Sequence, residues 1–204
     1  MHIFKSTAAA TALAALVTSA PVAQAADFTF DGNIAFHKDV IQIAFTLDTD
    51  ATDVKVWTDG FQDGLNFDPI TAVWSLPSGE QVGENDDDDS IAPGQTYYDS
   101  GLVFPTLPAG NYLFTIAAFP NFAVSTNLAG GFEFDNEAPI AIPDWCQPAS
   151  DACNNQKGTY WRVHLTGVDV ATNVPEPSTY AMLALGLAVV GGAARARRSA
   201  AAAS

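Results

Sequence analysis

Basic residues are scarce in this 204-residue chain: Lys and Arg number 8, against 23 Asp and Glu. Four of the eight, Lys5, Arg195, Arg197 and Arg198, lie near the two ends. Residues 26–174 therefore keep only Lys38, Lys55, Lys157 and Arg162 against 22 acidic residues, a formal charge of −18. Nucleic acid and anionic lipid both require a basic surface to neutralise phosphate, so neither is an expected partner. Helical periodicity is missing between the ends, and no repeat of 20–50 residues stands out. Nucleophile-elbow, zinc-protease and phosphate-loop motifs are absent, which removes the enzyme classes that announce themselves in sequence. Disorder is excluded as well, since 48% apolar and 11% aromatic residues are too many for an unpacked chain.

The first 25 residues read as an export signal. Lys5 is followed by an Ala-rich apolar stretch, Ala8–Val17, then Pro21 and Ala23-Gln24-Ala25. Small residues at −3 and −1 suit a signal peptidase, so cleavage is expected after Ala25. Ten or so apolar residues span only ~15 Å as a helix, about half a bilayer core, which argues against an uncleaved anchor.

At the other end, Val174-Pro175-Glu176-Pro177-Ser178 precedes an apolar run, Tyr180–Ala194, and a cluster of Arg195, Arg197 and Arg198. The two prolines impose an extended segment, because proline fixes its own φ and restricts the residue before it. The apolar run reaches roughly 22 Å as a helix, short for a ~30 Å core. Snorkelling arginines make up the difference and hold that end in the cytoplasm. The order of motif, run and basic cluster resembles a PEP-CTERM sorting signal, with Pro175, Glu176 and Pro177 as the recognised residues. That resemblance implies exosortase as a processing partner and a transient inner-membrane anchor. It also implies final delivery to the envelope, outer surface or extracellular matrix of a Gram-negative bacterium that makes exopolysaccharide. Residues 175–204 would then be a tail, leaving 26–174 as one domain.

Within that domain, short alternating segments are separated by turn residues. Ile41, Ile43, Phe45 and Leu47 share one face of Val40–Leu47, with Gln42, Ala44 and Thr46 opposite. Val54–Thr58, Thr71–Leu76, Leu102–Phe104, Tyr112–Phe119 and Tyr160–Val170 read the same way, and Phe28 and Phe30 mark an opening strand. This spacing predicts an all-β chain folded as a single antiparallel, jelly-roll-like β-sandwich. Cys146 and Cys153, the only cysteines, are expected to form one disulfide around a loop of eight residues. Such a loop constrains the unfolded chain by about 2.5 kcal/mol.

Acidic residues gather in two loops. Asp59, Asp63 and Asp68 precede the Pro69–Gly79 stretch, and Glu84-Asn85-Asp86-Asp87-Asp88-Asp89 follows it. Hard oxygen ligands from neighbouring loops are what Ca²⁺ takes, and an exported protein meets free Ca²⁺. Asp68, Asp86, Asp87 and Asp88 are the candidate ligands. Neither loop has EF-hand spacing. A solvated loop that only keeps the domain soluble explains the same run, and is the commoner fate of such runs. Phe67-Asp68-Pro69, Asn85-Asp86-Asp87 and Leu107-Pro108-Ala109-Gly110-Asn111-Tyr112 also resemble a set found in pre-peptidase C-terminal-type bacterial β-sandwiches. Domains of that type are accessory jelly rolls, some of which bind Ca²⁺ and some of which contact carbohydrate or protein. Gly110 is expected to take a positive φ at a tight turn before Tyr112.

Two histidines belong to the domain. His37 is expected in a turn, and His164 on the polar face of its strand with Arg162. The leading functional expectation is a non-catalytic exported protein with a structural or adhesive role in a biofilm or exopolysaccharide setting. A carbohydrate-binding module is the alternative, carried by Trp57 and Trp74 if both face outward; the expected arrangement has them filling the core instead. A secreted hydrolase built from dispersed carboxylates is the third.

Overall fold

The computed structural model describes residues 26–147, 153 and 155–174. The expected signal at 1–25 and the tail at 175–204 lie outside those residues. Nine strands are described: β1 (Ala26–Asn33), β2 (Val40–Leu47), β3 (Ala51–Thr58), β4 (Pro69–Leu76), β5 (Gln81–Asn85), β6 (Gly101–Leu107), β7 (Gly110–Ala118), β8 (Tyr160–Val168) and β9 (Val170–Val174). They form a four-stranded sheet ordered β1-β8-β3-β6 and a five-stranded sheet ordered β5-β4-β7-β2-β9, with antiparallel pairing throughout. Among the described residues no helix is long and apolar enough to cross a membrane.

Alternation builds the core. Ile41, Ile43, Phe45 and Leu47 of β2 turn inward with Phe114 and Ile116 of β7, and meet Val54 and Val56 of β3 and Val163 and Leu165 of β8. Each such side chain contributes roughly 1.5–3 kcal/mol by leaving water. The two sheets are thus a sandwich, as the spacing predicts. The turn into β7 is held by Tyr112, whose hydroxyl donates to the Pro108 carbonyl at 2.8 Å while its ring stacks on Phe45. Gly110 itself is not left-handed; it is the first residue of β7, paired with Leu47.

Simple alternation fails at the centre of the five-stranded sheet. From Pro69 to Trp74, β4 is buried on both faces. Its second face, Ala72 and Trp74 beside Leu113 of β7, is covered by Ala123, Leu128 and Phe132 from the irregular segment after β7. A sheet covered on both sides needs apolar residues on both, and the Ile-Thr-Ala-Val-Trp stretch of β4 supplies them. His37 lies in a turn, as expected, and is fully buried between the rings of Phe134 and Trp145. Its Nδ1 accepts from the Ile140 amide and its Nε2 donates to Glu137, which ties that segment to the sandwich.

The tryptophans part company. Trp74 is fully buried, with its indole N–H donating to Thr115 Oγ1 at 3.0 Å. Trp57 lies on the outer face of the four-stranded sheet, stacked on His164, because Val54 and Val56 hold the inner face of β3. The expectation that Trp57 fills the core while the valines face outward is therefore corrected.

Candidate metal centre

The β4–β5 hairpin brings the two acidic loops together. Asp68 immediately precedes β4, Asp86 and Asp87 immediately follow β5, and the ladder ends at Thr71 opposite Asn85. Antiparallel pairing therefore places both ends of the hairpin at one edge of the sandwich. Carboxylate oxygens of Asp68, Asp86 and Asp87 lie within 4.8 Å of one another. Asp88 is turned elsewhere: its Oδ1 accepts from the Ser90 amide at 2.9 Å and the Ser90 hydroxyl at 2.6 Å.

Two buried aspartates near this point show what the trio lacks. Asp99 is completely buried, and both its oxygens are satisfied. Oδ1 accepts from Thr58 Oγ1 and the Phe61 amide, and Oδ2 from the amide and hydroxyl of Thr96. Asp68 is 4% exposed and, among the described residues, has a single side-chain donor, Gln147 Nε2, at 3.0 Å from Oδ2. Its Oδ1 is buried without a hydrogen-bond partner, as is Oδ1 of Asp86. Burial pushes the Asp68 carboxyl up to about 8, and the charges of Asp86, Asp87 and Asp99 push the same way against the Gln147 hydrogen bond. Asp86 rises to about 6 through burial and the charges of Asp87 and Glu84, and burial raises Asp87 as well. A buried carboxylate normally carries a compensating charge or donor. Three carboxylates with two orphaned oxygens offer a hard, anionic oxygen set suited to a divalent cation, Ca²⁺ above all.

A second polar cluster escaped the sequence. On the outer face of β8, Arg162 makes a two-pronged ion pair with Asp59, Nε and Nη2 each 2.6 Å from a carboxylate oxygen. His164 Nε2 lies 3.0 Å from Asp59 Oδ2, and its Nδ1 is 3.0 Å from Thr29 Oγ1. Burial opposes ionisation of Asp59, but the bonds and charges of Arg162 and His164 outweigh it and hold the carboxyl below its ordinary range. Asp59 thus belongs with the cationic face of β8 and not with Asp68. Only the Arg162–His164 alternation hinted at a partner there. Arg162→Ala is expected to leave Asp59 under-paired and to cost about 1–3 kcal/mol. Urea unfolding checks this: the midpoint should fall with the slope unchanged.

Cys146 and Cys153 are disulfide-bonded as expected. Residues 173–198 match the PEP-CTERM protein-sorting motif. The match begins inside β9, whose last residues Asn173 and Val174 pair with Ile43 and Gln42. The described part of β9 ends at Val174, next to Pro175, the first residue of the Pro-Glu-Pro motif. The chain therefore carries a PEP-CTERM sorting motif: it is an exported, envelope-directed protein with exosortase as its processing partner. Pro175, Glu176, Pro177, the run 180–194 and Arg195, Arg197 and Arg198 fall within the match but outside the described residues. No curated protein matches the chain.

Proposed function

We propose that this protein is a non-catalytic structural or adhesive module of the envelope or extracellular matrix of a Gram-negative bacterium, acting in a biofilm or exopolysaccharide setting and braced by Ca²⁺. The observation that carries the cation is the buried, unpartnered Oδ1 of Asp68, in a carboxyl group whose neighbours Asp86 and Asp87 each bring an oxygen within 4.8 Å. The observation that supports the setting is the sorting motif at 173–198. A cation held between Asp68, itself 4% exposed, and the loop after β5 ties the two loops together, which suits a module that must hold its shape outside the cell. Extracellular calcium sites work at about 0.1–1 mM, so the brace would set only after export. Sugar recognition by paired rings is the weaker reading, since Trp74 is buried and Trp57 stands on the outer face with His164 as its stacking partner.

Two experiments test the two halves of this function. Deleting residues 175–204 should abolish envelope retention and exosortase-dependent processing, read by fractionation and mass spectrometry. Unchanged location and processing would remove the sorting half. Biofilm mass and matrix attachment of a strain lacking the protein, with and without chelator, address the structural half; wild-type attachment in both conditions would contradict it.

A further inference from the structure

Among the described residues, Asp68 is the one carboxylate of the trio that takes a side-chain hydrogen bond from outside the acidic loops. Gln147 comes from the segment between β7 and β8, is 7% exposed, and gives its Nε2 hydrogen to Asp68 Oδ2. It sits next to Cys146, at one foot of the disulfide. On that side, Trp145 is anchored in the core against His37 and Phe134. Beyond the other foot, the chain is bonded to the very loop that leads to Asp68. The Gln156 amide donates to Gly64 O at 2.7 Å, Gly158 N to Leu65 O at 2.9 Å, and Phe67 N to Gly158 O at 3.1 Å. This approach is close enough that a Cβ on Gly158 would lie 2.6 Å from Leu65 O. Lys157 Nζ closes the arrangement by donating to the Trp145 carbonyl. The disulfide thus joins one leg that carries the orienting amide to another that holds the loop bearing the ligand.

We infer that Gln147 is a positioning residue of the cation site, holding Asp68 Oδ2 so that Oδ1 remains for the cation, and that the Cys146–Cys153 disulfide keeps Gln147 in place. The cation affinity of the site consequently depends on the disulfide. This rests on the calcium reading above. Groups that orient a metal ligand typically change affinity 10- to 100-fold when removed. Among the described residues Gln147 touches one ligand, Asp68, through one hydrogen bond, so the lower end of that range applies. Reduction acts by the same route: breaking the S–S bond yields two thiols, the reductant is oxidised, and the eight-residue ring no longer fixes the amide.

The test is Ca²⁺ titration by calorimetry of the full chain in mild detergent, oxidised and after phosphine reduction, for wild type, Gln147→Ala and Cys146→Ser/Cys153→Ser. About tenfold weaker binding is expected for oxidised Gln147→Ala, for reduced wild type and for the double serine variant. Reduction of Gln147→Ala should add less than twofold, since the amide that the disulfide holds is already gone. Melting in EDTA checks the fold: Gln147→Ala should still melt in one cooperative transition, lowered by no more than about 10 °C for the lost buried hydrogen bond. Unchanged affinity in oxidised Gln147→Ala overturns the positioning role. A further tenfold loss on reducing Gln147→Ala overturns the link between disulfide and amide. Absence of any calcium uptake by the oxidised wild type is a different outcome, and it overturns the calcium reading itself.

Discussion

In 10 mM Ca²⁺ the protein should melt roughly 5–10 °C above its midpoint in EDTA, and Asp68→Asn should remove that difference. A site with a Kd of ~0.1 mM adds about 2.7 kcal/mol at a hundredfold excess. At the usual scaling for a domain of this size, that converts to the stated shift. Asp68 is the residue to change because it is the most buried of the trio and its Oδ1 has no other partner. In EDTA the same variant should be no less stable than wild type, since it removes a buried carboxyl held among like charges. Asp88→Asn serves as the contrast. Its side chain is engaged with Ser90, so the calcium response should persist. Differential scanning fluorimetry reads all of these arms.

The second large effect is a pH dependence that changes with the cation. Asp68 titrates near 8 in the folded chain, against an ordinary value of 3.8. Between about 4 and 8 the native state therefore holds a proton that the unfolded chain has released. Stability is lost as pH rises through that window. Asp86, raised to about 6, adds to the loss over the lower part of it. In EDTA the melting midpoint should fall by about 5 °C or more between pH 5 and 8.5. Calcium binds the ionised trio and should cut the fall to less than half, because the bound native state no longer retains those protons. Asp68→Asn should flatten the profile in EDTA. A wild-type profile in EDTA that rises towards pH 8.5 would contradict the buried, uncompensated carboxyl.

Much of the sandwich was legible because its strands alternate. The inward residues of β2 follow from Ile41, Ile43, Phe45 and Leu47, and the apolar set of β8 from Trp161, Val163 and Leu165. Strand β5 was not legible: Gln-Val-Gly-Glu-Asn has no apolar face, and it pairs at an edge where none is needed. Tyr160–Val170 reads as one strand but is two: β8 ends at Val168, Asp169 forms a bend before β9, and Gly167 takes a φ of 77° just ahead of it. The outward turn of Trp57 depends on which sheet face the valines of β3 occupy, which pairing decides and local pattern does not.

The candidate centre was half legible. Acidic residues on both sides of one strand suggested two loops at one end of the sandwich, and the β4–β5 hairpin accounts for why Asp68 meets Asp86 and Asp87. The engagement of Asp88 with Ser90 two residues on depends on the local turn. Burial of Asp68 and its approach to Gln147 depend on a segment 79 residues away, beyond the reach of any local pattern. The Asp59–Arg162–His164 cluster was hidden for the same reason, since its members meet only across paired strands.

The most direct measurement of the central claim is equilibrium calcium binding by calorimetry at pH 7.5, run in two buffers of different ionisation heat. One ion per chain is predicted, with a Kd of ~0.1 mM and net proton release near one, much reduced in Asp68→Asn. No saturable uptake up to 10 mM, or uptake that Asp68→Asn leaves untouched, would contradict it and leave the aspartates as a solvated edge of an exported sandwich.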